Sequence, residues 1–152
     1  MKQPTIESIL IANRGEIAIR VMRAATELGI RTVAVYSNED RFALHRFKAD
    51  ESYLVGAGQK PIAAYLDIAE IIRVAKLAKV DAVHPGYGFL SENAEFSKRC
   101  EDEGIAFIGP RHFSIAAMGD KIESKKLAGA AGVNCIPGVN DAIETAEKAV
   151  EI

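Results

Sequence analysis

Short apolar, β-branched runs alternate along this chain with amphipathic segments of ten or more residues. That spacing calls for right-handed crossovers and a largely parallel sheet covered on both faces. Residues 9–12 read as a first strand, and residues 15–28 as a helix with Ile17, Val21, Ala24, Ala25 and Leu28 on one face, closed by Gly29. Residues 32–36, 51–55, 80–84 and 105–108 read as further strands. Residues 67–78, carrying Ile68, Ile71, Ile72, Ala75 and Ala78, and residues 93–103 read as helices. The pattern predicts an α/β fold, a five-stranded Rossmann-like parallel sheet flanked by helices and ending near Pro110.

The pattern changes beyond Pro110. A short helix through Met118 is interrupted at Gly119-Asp120, and residues 121–131 form another helix before Gly132, with Asp120 and Glu123 spaced as a capping box. Residues 133–137 read as a new strand with Cys135 in its core. The helix expected from Ala142 is still amphipathic at Ile152, so the chain is expected to continue there. The division follows as a first domain over 1–112 and the opening of a second over 113–152.

The chain has 152 residues, 49% hydrophobic and 26% charged, enough for one real core. A net charge of -2 supplies no basic field for nucleic acid or an anionic membrane, so an anionic ligand needs a local device. No signal peptide or bilayer-length apolar run is present, which makes the cytoplasm the expected compartment. Cys100 and Cys135 have neither CxxC spacing nor a histidine at a zinc interval, so no metal site is expected and both are expected to be reduced.

The segment His84-Pro85-Gly86-Tyr87-Gly88 joins a strand to a polar helix. Pro85 ends the strand, Gly86 and Gly88 permit positive φ, and Tyr87 offers a flat face with a hydroxyl tip. Such a loop suits a ligand site at the carboxyl end of a strand; the plainer reading is a turn whose tyrosine plugs the sheet edge. The turn Asn13-Arg14-Gly15-Glu16 lacks the GxGxxG of a dinucleotide site; it reads first as a helix cap with solvated charges and otherwise as an arginine and a glutamate placed near a ligand or a domain seam. Arg20, Arg23 and Glu27 form a charged stripe that suits either solvent or a two-fold interface. Lys121 sits in a first helical turn, where the macrodipole disfavours a cation, which suits a phosphate contact or a solvated lysine. His45 and His84 have no nucleophile or second metal ligand at a telling interval and read as structural.

Residues 9–20 (ILIANRGEIAIR), 84–93 (HPGYGFLSEN), 107–110 (FIGP) and 118–121 (MGDK) together resemble the amino-terminal part of the biotin carboxylase family. Four motifs in register are far more specific than one. Within the family, residues 43–55 (ALHRFKADESYLV) are most similar to pyruvate carboxylases, and residues 118–126 (MGDKIESKK) to acyl-CoA carboxylase α subunits. The carboxyl acceptor therefore stays open.

The resemblance implies an ATP-dependent ligase. MgATP activates bicarbonate as carboxyphosphate, and CO₂ passes to biotin on a carrier domain, then through a carboxyltransferase domain or subunit to pyruvate or an acyl-CoA. It implies that Lys121 contacts ATP, that Tyr87 and Gly88 lie beside biotin, and that Gly86 and His84 shape the loop. It places Arg23 and Glu27, with Arg20 in the same stripe, at a homodimer interface. It makes residues 1–112 the Rossmann-like domain that precedes an ATP-grasp domain, and 113–152 the start of that domain. For a processed eukaryotic chain the compartment becomes the mitochondrial matrix. The family's metal ligands, catalytic base and bicarbonate-holding arginine fall beyond Ile152, so this chain alone is expected to be inactive. The alternative is a stand-alone binding or dimerisation module that keeps the fold without the chemistry.

Overall fold

The computed structural model describes residues 5–136 together with Ala146 and Val150. Internal contacts divide the chain into two units, Met1–His112 and Phe113–Ile152.

In the first unit, five strands run in chain order as β1 (Ser8–Ile11), β2 (Arg31–Tyr36), β3 (Glu51–Leu54), β4 (Ala82–His84) and β5 (Ala106–Phe107). Between them lie α1 (Gly15–Glu27), α2 (Leu44–Lys48), α3 (Pro61–Leu66), α4 (Ile68–Leu77) and α5 (Ala94–Asp102). The sheet order is β3-β2-β1-β4-β5 and every pairing is parallel. The chain builds outward from β1 through β2 to β3, then returns to place β4 on the other side of β1. Strand order therefore reverses between β1 and β4, the place in an open α/β sheet where ligands bind outside the carboxyl ends of the strands.

Period-two alternation sorts the core onto the two faces of the sheet. Ile9 and Ile11 of β1 join Ala34, Ala82 and the α1 residues Ala18, Val21, Met22 and Ala25. Leu10 joins Val33, Val35 and Val83 on the opposite face, packed with Tyr65, Ile71, Ala75, Phe96 and Cys100 from α3, α4 and α5. Burial pushes the Cys100 thiol up to about 12, which keeps it protonated and inert.

Three expectations are corrected here. The buried stripe of α1 is rotated: Ala24 is exposed and Leu28 is 75% exposed, while Ala18 and Met22 turn inward onto β1. Helix α3 was not expected, yet Pro61 stands at a first-turn position, where its missing N–H costs nothing, and Tyr65 is driven fully into the core. Residues 133–136 form no strand, and Cys135 is exposed rather than core. An apolar run becomes a strand only where a partner strand is at hand, and among the described residues nothing pairs with this one.

The second unit contributes α7 (Lys121–Ala130) and most of α6 (His112–Gly119), neither with a buried residue. The Asp120 carboxylate accepts N–H bonds from Ile122 at 2.9 Å and Glu123 at 2.8 Å, capping α7. Pro137 lies outside the described residues, as does the helix expected from Ala142 apart from Ala146 and Val150, which are both helical. Among the described residues no helix is long and apolar enough to cross a membrane.

Candidate functional site

The loop that leaves β4 is shaped by polar contacts close to the strand end. His84 is half-buried, and burial holds its pKa below the ordinary 6.5, so the ring is neutral. Its Nδ1 accepts the Gly86 N–H at 2.9 Å. Gly86 and Gly88 both have φ of +67°, the left-handed region. Between them Tyr87 is 65% exposed, and its hydroxyl donates to the Glu16 carboxylate at 3.5 Å. At that exposure the tyrosine does not plug the sheet edge.

Phe89 also takes a positive φ, +44°, a conformation that costs a bulky residue about 1–3 kcal/mol. Its ring stacks on Tyr65 with centroids 5.2 Å apart and planes 14° from parallel, which offsets part of that cost. The Tyr65 hydroxyl in turn donates to Asp40 at 2.7 Å and accepts the Ser37 N–H at 3.2 Å. Burial and the Asp40 carboxylate raise the Tyr65 pKa, so the hydroxyl stays a donor. Burial works against ionised Asp40, but hydrogen bonds from Tyr65 and Arg14 outweigh it and hold its carboxyl below the usual value.

His45 belongs to the same neighbourhood and is fully buried. Its Nδ1 accepts the Gly15 N–H at 3.4 Å, so Nε2 carries the proton and donates to the Val35 carbonyl at 3.3 Å. Desolvation keeps the ring's pKa below 6.5. The carboxyl ends of β1 and β4 thus carry the turn after β1, buttressed by Arg14, Asp40, His45 and Tyr65, and the Tyr87 loop that contacts it.

Of the residues singled out in the sequence, His84, Gly86, Tyr87 and Gly88 come together in the loop that leaves β4. Arg20, Arg23 and Glu27 are exposed on α1 and line an open groove with Glu16, Leu44 and His45. Lys121 is exposed at the start of α7 in the second unit, immediately after the capping Asp120. Sequence reasoning named Asn13 only as part of the turn 13–16 and gave it no role, and it missed Asp40 and Tyr65, which lie 25 positions apart with no local pattern to link them.

A family model for the biotin carboxylase N-terminal domain matches residues 5–115. The chain belongs to the biotin carboxylase N-terminal domain family. Pyruvate carboxylase of Bacillus subtilis is 60% identical over 147 residues, 97% of this chain and 13% of that protein. Mitochondrial pyruvate carboxylase of Rattus norvegicus is 58% identical over 146 residues, 96% of this chain and 12% of that protein. Among solved structures, the biotin carboxylase domain dimer of Hydrogenobacter thermophilus 2-oxoglutarate carboxylase, in complex with MgADP, ADP and bicarbonate, superposes with a TM-score of 0.91 at 44% identity. The match covers 98% of this chain and 32% of that one. The chain therefore spans about an eighth of the pyruvate carboxylases it matches, 13% and 12% of their lengths. The α/β fold read from the sequence is the fold of this biotin carboxylase domain family.

Proposed function

We propose that this chain is the amino-terminal portion of a biotin carboxylase working within a pyruvate carboxylase, where MgATP activates bicarbonate for transfer of CO₂ to biotin on a carrier domain. The observation that carries the reading is an exposed Tyr87 on a two-glycine loop at the β1/β4 reversal of strand order, in a chain 60% identical to a pyruvate carboxylase. Biotin supplies a ureido nitrogen that accepts the carboxyl group. The residues present fit its flat ring: Tyr87 offers an exposed face, and a Cβ at Gly88 would meet nothing within 4 Å. His84 and Gly86 shape that loop without touching the ligand.

Lys121, exposed beside the cap of α7, serves as the cation for the ATP phosphates, and residues 113–152 open the ATP-grasp domain. Among the described residues no group of three or more His, Cys, Asp and Glu could hold a metal ion. Arg23 and Glu27, with Arg20 beside them, form a homodimer interface along the exposed face of α1. A carboxyltransferase domain completes the assembly with pyruvate as acceptor, in the cytoplasm or the mitochondrial matrix.

The test is bicarbonate-dependent ATP cleavage by the full-length protein that carries this segment, with the 152-residue chain assayed alongside. Cleavage by the former, stimulated by free biotin and absent from the latter, is the expected result. A full-length protein that binds no ATP and dimerises through α1 would instead be a non-catalytic module of the same fold.

A further inference from the structure

We propose that Asn13 is a positioning residue for the Tyr87 loop, its side-chain amide holding Tyr87 and Gly88 where the biotin ring would meet them; the role rests on the function proposed above. Asn13 is 3% exposed, two residues beyond the end of β1. Its Nδ2 donates to the Pro85 carbonyl at 2.7 Å and to the Tyr87 carbonyl at 2.9 Å. Its Oδ1 accepts the Arg14 N–H at 2.9 Å. A carboxamide offers two donors on one arm and an acceptor on the other, which a hydroxyl or a carboxylate cannot. The opposite orientation would aim Oδ1 at two carbonyl oxygens, so the partners themselves fix which way the amide points.

The register explains why this residue and this loop meet. β1 pairs with β4 through Ile11 and His84, and the ladder's last rung is the Ala12 N–H on the His84 carbonyl at 2.9 Å. Continuing that register sets Asn13 against Gly86, just where Pro85 has ended the strand. The side chain takes over from the backbone ladder and bonds the carbonyls on either side of Gly86. Gly86 complements it: a Cβ there would stand 2.6 Å from Nδ2 and 3.1 Å from Cγ of Asn13. The glycine is needed to admit the amide as well as to hold its φ of +67°.

The test uses the full-length protein and measures free-biotin stimulation of bicarbonate-dependent ATP cleavage in Asn13→Asp and Asn13→Ala. Loss of two buried donors raises KM for biotin about tenfold in both variants, with KM for ATP moving less than about twofold. Asn13→Asp keeps the volume yet turns oxygens toward two carbonyls, so it is at least as damaging as Asn13→Ala; a well-tolerated Asn13→Asp means packing alone and overturns the proposal. An unchanged KM for biotin in an active parent background also overturns it and leaves the proposed function standing. A parent that cleaves no ATP with bicarbonate overturns both. Hydrogen exchange provides a readout independent of turnover: in Asn13→Asp the amides of residues 86–91 exchange at least about tenfold faster while β1 and β4 keep their protection. Unchanged exchange, or protection lost throughout the sheet, overturns the positioning role.

Discussion

Within these 152 residues, helices α1 and α7 are held by opposite means. α1 buries Ala18, Val21, Met22 and Ala25 against the sheet, but its N-cap residue, Arg14, makes no side-chain cap bond. α7 has two N–H groups capped by Asp120 and buries nothing. A helix of about ten residues is marginal on its own in water, so packing or capping has to supply what propensity lacks. The contrast separates two links of the same chain of causes, a tertiary one for α1 and a local one for α7.

The largest test of that contrast is Met22→Ala, which empties a site only 2% exposed and should cost about 2–5 kcal/mol in urea unfolding of the first unit. A cost near zero would mean that α1 is not anchored through this face. Next comes pH. His45 holds the Gly15 N–H at the start of α1 while buried and neutral, and both His45 and His84 have pKa values depressed below 6.5. The unfolded chain therefore binds more protons below that value. Stability should be flat above pH 6.5 and fall as the pH drops below it, by at most about 1.4 kcal/mol per pH unit for each histidine. Urea midpoints that hold steady from pH 7.5 to 5.5 would remove His45 from the account of α1.

For α7 the expected effects are smaller and reversed in kind. Asp120→Ala should cost about 1 kcal/mol of helix stability, read as faster amide exchange within α7. Leu127→Ala, at a position 43% exposed, should change stability by less than about 0.5 kcal/mol. A loss from Leu127→Ala as large as that from Met22→Ala would break the contrast and give α7 a packed face.

Much of this was legible from local pattern. β-branched runs and turn glycines marked the strands, Asp120 and Glu123 marked the start of α7, and the two glycines around Tyr87 marked a turn with two residues at positive φ. Helix α3 escaped notice because its six residues are too few for a periodic signal and follow a stretch rich in turn formers. The strand expected at 133–136 failed for the converse reason: its residues are apolar, but strand formation depends on a neighbour they do not have among the described residues. At α1 the apolar face expected from periodicity holds for Val21 and Ala25 and fails for Ala24 and Leu28. Periodicity gives the width of a stripe more reliably than its rotation, which β1 sets through Ile9 and Ile11.

By itself the sequence determined the alternation of strands and helices, and with it the layered α/β architecture, because both periods are written within a few residues. Only the tertiary structure decided that Asn13 reaches across to Pro85 and Tyr87, at separations of 72 and 74 residues. That meeting follows from β4 returning beside β1 with Ile11 opposite His84. Sheet order and register arise from the packing of the whole unit, and no local pattern around Asn13 or Gly86 encodes them.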